Sequence, residues 1–177
     1  MVLGMKIIIS ILAVLVILAA GIFTGLNLTG QISGKSEIIE GPLESIPHLS
    51  TVGFAKAEIN VEPAVIYLTS DCYRLAMITN ELQTYSIEMG LNNVRGFRPL
   101  THDLIYDIID IFGIEPLMVK IESLNDGTYF AKVLLKQGNK ILNMDSKPSD
   151  AIAIAVRTNT SVYIKQTLLE ENGERIC

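Results

Sequence analysis

The sequence predicts an α+β domain of largely antiparallel strands with about three packed helices, preceded by one N-terminal transmembrane helix. Three observations lead to this prediction. An almost wholly apolar run opens the chain, turn signals separate short alternating segments, and helix-start signals recur through the later sequence. The length of 177 residues suits one domain with an appendage.

The apolar run covers residues 7–23, and about 20 such residues are enough to span a bilayer. Lys6 precedes the run and no lysine or arginine follows before Lys35, so the positive-inside tendency keeps the N-terminus in the cytoplasm and the domain outside. Residues 19–21 are small and could be a cleavage site, in which case the protein would be secreted. We therefore predict residues 1–28 as a membrane anchor or signal segment.

Residues 29–50 are rich in Gly, Ser and Pro without a steady period, which predicts a linker with an exposed His48. Residues 51–170 then form the folded domain and 171–177 a tail. The net charge of −5 argues against a broad, non-specific nucleic-acid surface.

The two cysteines, Cys72 and Cys177, do not have the spacing of zinc ligands. A disulfide between them could form in an exported domain. The last residue of a chain is usually mobile, however, so the sequence disfavours this bond without deciding the disulfide state.

Turn residues divide the domain into short strands and one early helix. Asn80 is a good N-cap for a helix over residues 81–89, which Gly90 would end. Asn-Asp-Gly at 125–127 and Gly-Asn at 138–139 are hairpin signals, so the strands around them form an antiparallel meander. Strands are predicted at residues 52–61, 64–68, 72–78, 117–121, 128–136, 140–144 and 161–164.

Two further helices follow from capping and spacing. Thr101 is predicted as the N-cap of a helix over residues 102–112. One face of this helix carries Leu104, Ile108, Ile111 and Phe112, and the other carries Asp103, Tyr106, Asp107 and Asp110. Residues 151–156 alternate in size as a strand might, but Pro148 is typical of a first helical turn, so we predict a buried helix over residues 148–157.

The helix start at His102 is the first candidate for chemistry. Histidine can act as a general base near neutral pH, and a neighbouring carboxylate, here Asp103, can orient it or bind a metal. Alternatively, Asp103 favours the helix dipole and His102 is a surface residue. Asp103, Asp107 and Asp110 share one face and could hold a hard cation such as magnesium, or simply form a solvated acidic face.

The helix start at Lys147 is the second candidate. A lysine, a hydroxyl and free backbone N–H groups at a helix N-terminus could hold a phosphate, with Lys147 and Ser149 as the side-chain donors. Asp150 opposes this because it brings its own negative charge to the same turn. The alternative is a capped helix start without a ligand.

Three segments resemble signatures of the bifunctional nuclease domain family, over about residues 52–168. Residues 98–104, RPLTHDL, resemble the R-P-L-T-H-D-L signature, and residues 145–153, DSKPSDAIA, resemble D-[AS]-R-P-S-D-A-I-A. Between them, residues 127–131, GTYFA, are similar to the strand G-T-F-Y-A. Lys147 stands where the family pattern has arginine, and lysine lacks the planar fork for phosphate.

The resemblance implies an α+β fold, frequent self-association and a nuclease that hydrolyses phosphodiester bonds of RNA or DNA. His102, Asp103 and Asp150 would be the catalytic residues of such a membrane-tethered nuclease. Its substrate-binding residues would be Arg98, Lys147 and Ser149. Asp103 and Asp150 would bind a divalent cation such as magnesium or orient water, and helix spacing makes Asp107 a further candidate ligand beside Asp103.

The alternative function is a non-enzymatic binding or assembly domain. In that case Arg98, Asp103 and Asp150 would be structural, as an Arg–Asp bridge and two helix caps that join neighbouring segments.

Overall fold

A computed structural model of the chain describes residues 36–41, 43 and 46–177. The predicted anchor, residues 1–28, and the first part of the predicted linker lie outside the described residues. No helix in the described part is long and apolar enough to cross a membrane.

The described part of the chain contains nine strands and four α-helices. The strands are β1 (Glu37–Glu40), β2 (Phe54–Glu62), β3 (Val65–Ser70), β4 (Tyr73–Ile78), β5 (Glu115–Asn125), β6 (Thr128–Gln137), β7 (Lys140–Ser146), β8 (Val162–Lys165) and β9 (Glu174–Arg175). The helices are α1 (Glu81–Leu91), α2 (Thr101–Ile111), α3 (Pro148–Thr158) and α4 (Gln166–Asn172).

The strands form one sheet in the order β1-β7-β6-β5-β8-β2-β3-β4-β9. β5, β6 and β7 are the predicted antiparallel meander. β8 lies parallel to β5, because the chain crosses over through α3 after β7 and enters β8 in the direction of β5. The other described pairs are antiparallel, so the predicted α+β class with a largely antiparallel sheet is confirmed.

Helix α3 is the buried centre of the helical layer, as predicted for residues 148–157. Its alanines allow its backbone to approach the sheet closely, and its buried side chains share one hydrophobic cluster with the inner residues of β5 and β6. These residues are Ala151, Ile152, Ala153 and Ala155 on the helix, and Val119, Ile121, Ala131 and Val133 on the strands. Because α1 and α2 also pack on α3, this helix fixes how the two signature segments meet.

Gly90 does not end α1, because the helix continues to Leu91. A Cβ atom at Gly90 would lie 2.5 Å from Cγ2 of Val156, so α1 and α3 pack too closely there for any side chain. The glycine therefore serves helix packing, whereas its position near the helix end had suggested a stop signal.

Helix α2 differs from its prediction in two respects. Its N-cap is Leu100, whose backbone N–H donates to Oδ2 of Asp103 over 2.7 Å, so Thr101 was wrongly predicted as the cap. Its apolar face points outward. Leu104, Ile108, Ile111 and Phe112 are 43 to 78% exposed, whereas Asp103 and Ile109 are buried.

Part of the predicted linker packs on the sheet. Strand β1 adds to the edge beside β7, and the turn Pro47–Leu49 lies over β5. There the buried Lys120 Nζ donates to the carbonyl oxygen of His48 over 2.6 Å and also to that of Ser50. The side chain of His48 is half exposed, which agrees with its prediction.

The C-terminus is held against the sheet, and the disulfide that the sequence disfavoured does form. Strand β9 pairs with β4, and Cys177 forms a disulfide with Cys72 across a Cα–Cα distance of 5.2 Å. Arg74 and Glu174 form an ion pair beside this bond. Residues 105 positions apart are thereby joined at one edge of the sheet.

Candidate functional site

The two signature segments meet at His102, on the first turn of α2. Its Nδ1 lies 2.9 Å from Oγ of Ser86 on α1, and its Nε2 lies 3.5 Å from Oδ1 of Asp150 on α3. The Ser86 hydroxyl can donate to Nδ1 or accept from it, so either neutral tautomer of His102 fits this position. Three helices thus hold one imidazole between a hydroxyl and a carboxylate.

Asp103 points away from His102 and forms a buried ion pair with Arg157. Nε of Arg157 donates to Oδ1 of Asp103 over 2.7 Å, and these side chains are only 6 and 3% exposed. Arg157 also donates to the carbonyl oxygen of Ala153 over 2.9 Å. The second oxygen of Asp103 accepts the Leu100 N–H, so both oxygens are used within the protein.

Ser86 links this ion pair to the histidine. Its Oγ lies 3.4 Å from Nη2 of Arg157 as well as 2.9 Å from His102. The polar network therefore runs from Asp103 through Arg157, Ser86 and His102 to Asp150. Ser86 could not be recognised from the sequence, because a serine in the middle of a helix carries no motif, and Arg157 lies outside the three signature segments.

The environment holds His102 neutral. Burial lowers the pKa of His102 below its ordinary value of 6.5, and the charge of Arg157 lowers it further, against the opposing influence of Asp150. Burial alone would raise the pKa of Asp103. The hydrogen bonds from Arg157 and from the Leu100 N–H outweigh burial and lower that pKa, so Asp103 is ionised at neutral pH.

His102 and Asp150 line a groove of about 660 Å³ between α2, α3 and the meander. Most of its lining is aliphatic and comes from Ile105, Ile108, Ile109, Ile114, Val133, Leu135, Leu142, Met144 and Ile154. The polar lining residues are Thr101, His102, Asp145, Ser146 and Asp150. A neutral histidine and a carboxylate in a largely apolar cavity can exchange protons with a bound molecule.

The predicted phosphate-binding residues are distributed around α3. Lys147 is 65% exposed, with its Nζ 3.4 Å from Oδ2 of Asp150. Ser149 is buried in the first turn of the same helix. Arg98 is exposed and forms no ion pair within residues 46–177. The arginine that pairs with Asp103 is therefore Arg157 and not Arg98.

The candidate magnesium ligands do not form a metal site. Oδ1 of Asp107 lies 2.6 Å from Nη2 of Arg95, and Asp103 is bonded to Arg157, so an arginine already neutralises each carboxylate. The described residues contain no cluster of three or more His, Cys, Asp or Glu side chains that could hold a metal ion. A cation at either carboxylate would have to displace its arginine partner.

Comparison with known proteins matches the same part of the chain. A family model described as the bifunctional nuclease domain covers residues 65–176. An uncharacterized protein of Mycobacterium tuberculosis is 37% identical over 88 residues, which are 50% of this chain and 52% of the relative. Bifunctional nuclease 2 of Arabidopsis thaliana is 30% identical over 105 residues, 58% of this chain and 32% of the plant protein.

Bifunctional nuclease 2 of Oryza sativa is 28% identical over 133 residues, 72% of this chain and 41% of that protein. The chain thus spans about half the length of the bacterial relative. It spans less than half the length of each of these two plant relatives. The family match includes all three signature segments and the helices that carry His102, Asp150 and Arg157. The chain belongs to the bifunctional nuclease domain family.

Proposed function

We propose that this protein hydrolyses phosphodiester bonds of RNA or DNA at the groove beside His102. The observation that carries the proposal is the position of His102 between Ser86 and Asp150. Its imidazole has a lowered pKa and lines the groove. Relatives named bifunctional nuclease support the same reaction class.

In this proposal His102 is the general base. Ser86 accepts from Nδ1–H, which leaves Nε2 unprotonated beside Oδ1 of Asp150, and both His102 and Asp150 line the groove. The neutral imidazole takes a proton from the attacking water, and the Asp150 carboxylate orients that water. The protonated imidazole then returns the proton to the departing oxygen, so the proton balance closes within the site.

Lys147 has the position to contact the substrate phosphate, since its ammonium is exposed and lies beside Asp150. Arg98 would reach the same phosphodiester chain further from the bond that is cut. Asp103 and Arg157 are positioning residues, because their buried ion pair holds the first turn of α2, which carries His102. Arg157 also contacts Ser86, since its Nη2 lies 3.4 Å from Oγ of Ser86.

The test is cleavage of RNA and single-stranded DNA by the full chain, purified in mild detergent, with and without EDTA. We expect His102→Ala to lower kcat by about 100-fold or more, the usual contribution of a general base. His48→Ala is the matched control, since His48 is the other histidine of the chain and lies over β5. Equal cleavage by the wild type and His102→Ala would identify the activity as contamination and refute the proposal.

A non-enzymatic assembly role is the second candidate, because α2 presents an outward apolar face of Leu104, Ile108, Ile111 and Phe112. Exposed apolar patches of this kind mark interaction surfaces. The occupant we propose is a second copy of the chain, in line with the self-association that the family resemblance implies. Ile111→Lys should then reduce the mass measured by light scattering, whereas Val52→Lys, at another exposed apolar residue, should not.

We also propose that the domain lies outside the cytoplasmic membrane, tethered or secreted through residues 7–23. The Cys72–Cys177 disulfide supports this location, because disulfides persist in oxidising compartments and are rare in the cytosol. Alkylation of intact cells before and after reduction tests the location. Two thiols that react without reductant would place the domain in a reducing compartment and refute the proposal.

A further inference from the structure

The groove between α2, α3 and the meander is larger and more apolar than the proposed hydrolysis requires. Helix α2 packs on α3 and makes little contact with the strands, so an open space of about 660 Å³ separates it from the meander. Ile105 and Ile109 line this space from α2, and Val133, Leu135 and Leu142 line it from β6 and β7. A volume of this size and an aliphatic lining with a few polar groups are typical of small-molecule sites.

The polar lining residues of the groove gather where β7 ends and where α2 and α3 begin. Thr101 and His102 lie in the first turn of α2, and Asp150 lies in the first turn of α3. Asp145 and Ser146 end β7, directly before α3. The aliphatic residues come mostly from later turns of the two helices and from the strands. The groove therefore combines a polar end with an apolar length, which is the shape of an amphiphile.

Part of the apolar lining is open to solvent. Ile108 and Met144 are 43 and 39% exposed, although both line the groove. An alkyl chain that covers them removes apolar surface from water, and each buried methylene strengthens binding by about fourfold. The phosphodiester of a nucleic acid has no such chain, so this part of the groove has no role in the proposed hydrolysis.

The charges at the polar end favour a cationic head group. Asp145 and Asp150 line the groove with carboxylates and His102 is neutral, whereas no lysine or arginine of the described residues lines it. Oδ1 of Asp145 is buried and accepts no hydrogen bond from that part of the chain, although Nζ of Lys132 lies 3.4 Å away. A buried acceptor without a donor is costly. An ammonium group supplies donors and a positive charge, whereas the carboxylates would repel an anionic head.

We propose that this groove binds a single-chain amphiphile with an ammonium head. The ammonium contacts Asp145 and Asp150, and the alkyl chain runs between α2 and the meander. The inference goes beyond the proposed hydrolysis, which uses only the polar end of the groove. The bound head would cover His102, so the amphiphile would exclude a phosphodiester from the same end.

The experiment is calorimetric titration of the full chain, reconstituted in phosphatidylcholine nanodiscs, with hexylamine, heptylamine and octylamine. Titration of empty nanodiscs corrects for the amine that enters the lipid, and octanol and octanoate are the matched probes of the head group. We expect affinity to rise about fourfold with each methylene. Octylamine should bind about tenfold or more tightly than octanol, the effect of one hydrogen bond to a charged group, and octanoate should bind most weakly.

Three variants separate the two parts of the groove. Asp145→Asn should weaken octylamine binding about tenfold and leave octanol binding unchanged. Met144→Gln should weaken binding of both octylamine and octanol about fourfold or more, because an amide of similar length replaces apolar surface of the groove. Ile78→Gln is the matched control, since Ile78 is 87% exposed on β4 and does not line the groove.

Equal affinity for octylamine and octanoate, or an affinity that does not rise with chain length, would overturn the inference. An equal loss of binding in Ile78→Gln and Met144→Gln would also contradict it. A groove covered by a second copy of the chain would bind no amine, which would refute the amphiphile. Amine binding by a chain that does not cleave RNA would uphold this ligand and refute the proposed hydrolysis, whereas cleavage without amine binding would do the reverse.

Discussion

The pair Asp103–Arg157 offers a controlled measurement of what burial does to an ion pair, because α2 carries a second such pair one turn later. Asp103 lies 2.7 Å from Arg157 with both side chains buried, and Asp107 lies 2.6 Å from Arg95 with both partly exposed. Asp103→Asn and Asp107→Asn therefore make the same chemical change at the same spacing on the same helix. The two variants differ in exposure to solvent.

Asp103→Asn leaves the Arg157 guanidinium charged and buried. Breaking a buried pair from one side costs about 3–5 kcal/mol. Asparagine keeps one oxygen that can accept from Leu100, so the lower part of this range applies. Since 1 kcal/mol lowers Tm by about 2–4 °C in a domain of this size, Asp103→Asn should lower Tm by roughly 6–12 °C.

Asp107→Asn should change Tm by much less, because water and salt screen the pair with Arg95. The assay is thermal unfolding of both variants and the wild type, followed by circular dichroism in one buffer. Added salt should reduce any difference in Tm between Asp107→Asn and the wild type. The lower Tm of Asp103→Asn should persist in added salt. Similar melting of Asp103→Asn and Asp107→Asn would refute the buried network as the element that joins α2 to α3.

Three further predictions concern other parts of the fold. His102 binds a proton more readily in the unfolded state than in the folded state, so the free energy of unfolding in urea should fall as pH drops below 6.5. His102→Asn should make the free energy of unfolding depend less steeply on pH in this range. Reduction of Cys72–Cys177 should cost about 2–5 kcal/mol in the same assay, and a Cys72→Ser variant should melt independently of reductant. Gly90→Ala should cost about 1–3 kcal/mol from overpacking against Val156, and an unchanged midpoint would contradict the close helix contact.

The parts of the fold that depend on local chemistry could be predicted from the sequence. Hairpin signals such as Asn125-Asp126-Gly127 determine where strands end, and Asn80 caps α1 through a bond of its side chain to the Gln83 N–H. Pro148 correctly decided between helix and strand for α3. In each case the residues that decide the structure are neighbours in the chain.

The parts that depend on distant partners could not be predicted. Nothing near Asp103 in the sequence indicates that Arg157, 54 residues later, would neutralise it and remove it from metal binding. Ser86 contacts His102 through the packing of two helices, which no local pattern encodes. The C-terminal disulfide depends on β9 returning to β4, and its two residues were separated by 105 positions.

The acidic limb of the pH–rate profile tests most directly whether His102 is the general base of a nuclease. The limb of kcat/KM reports the pKa of an essential base in the free protein. Burial lowers the pKa of His102, so the limb should lie below pH 6.5 for RNA cleavage by the full chain. Asp150→Asn removes a charge that raises this pKa and should move the limb to still lower pH. A limb that stays in place in Asp150→Asn, or that persists in His102→Ala, would contradict the account.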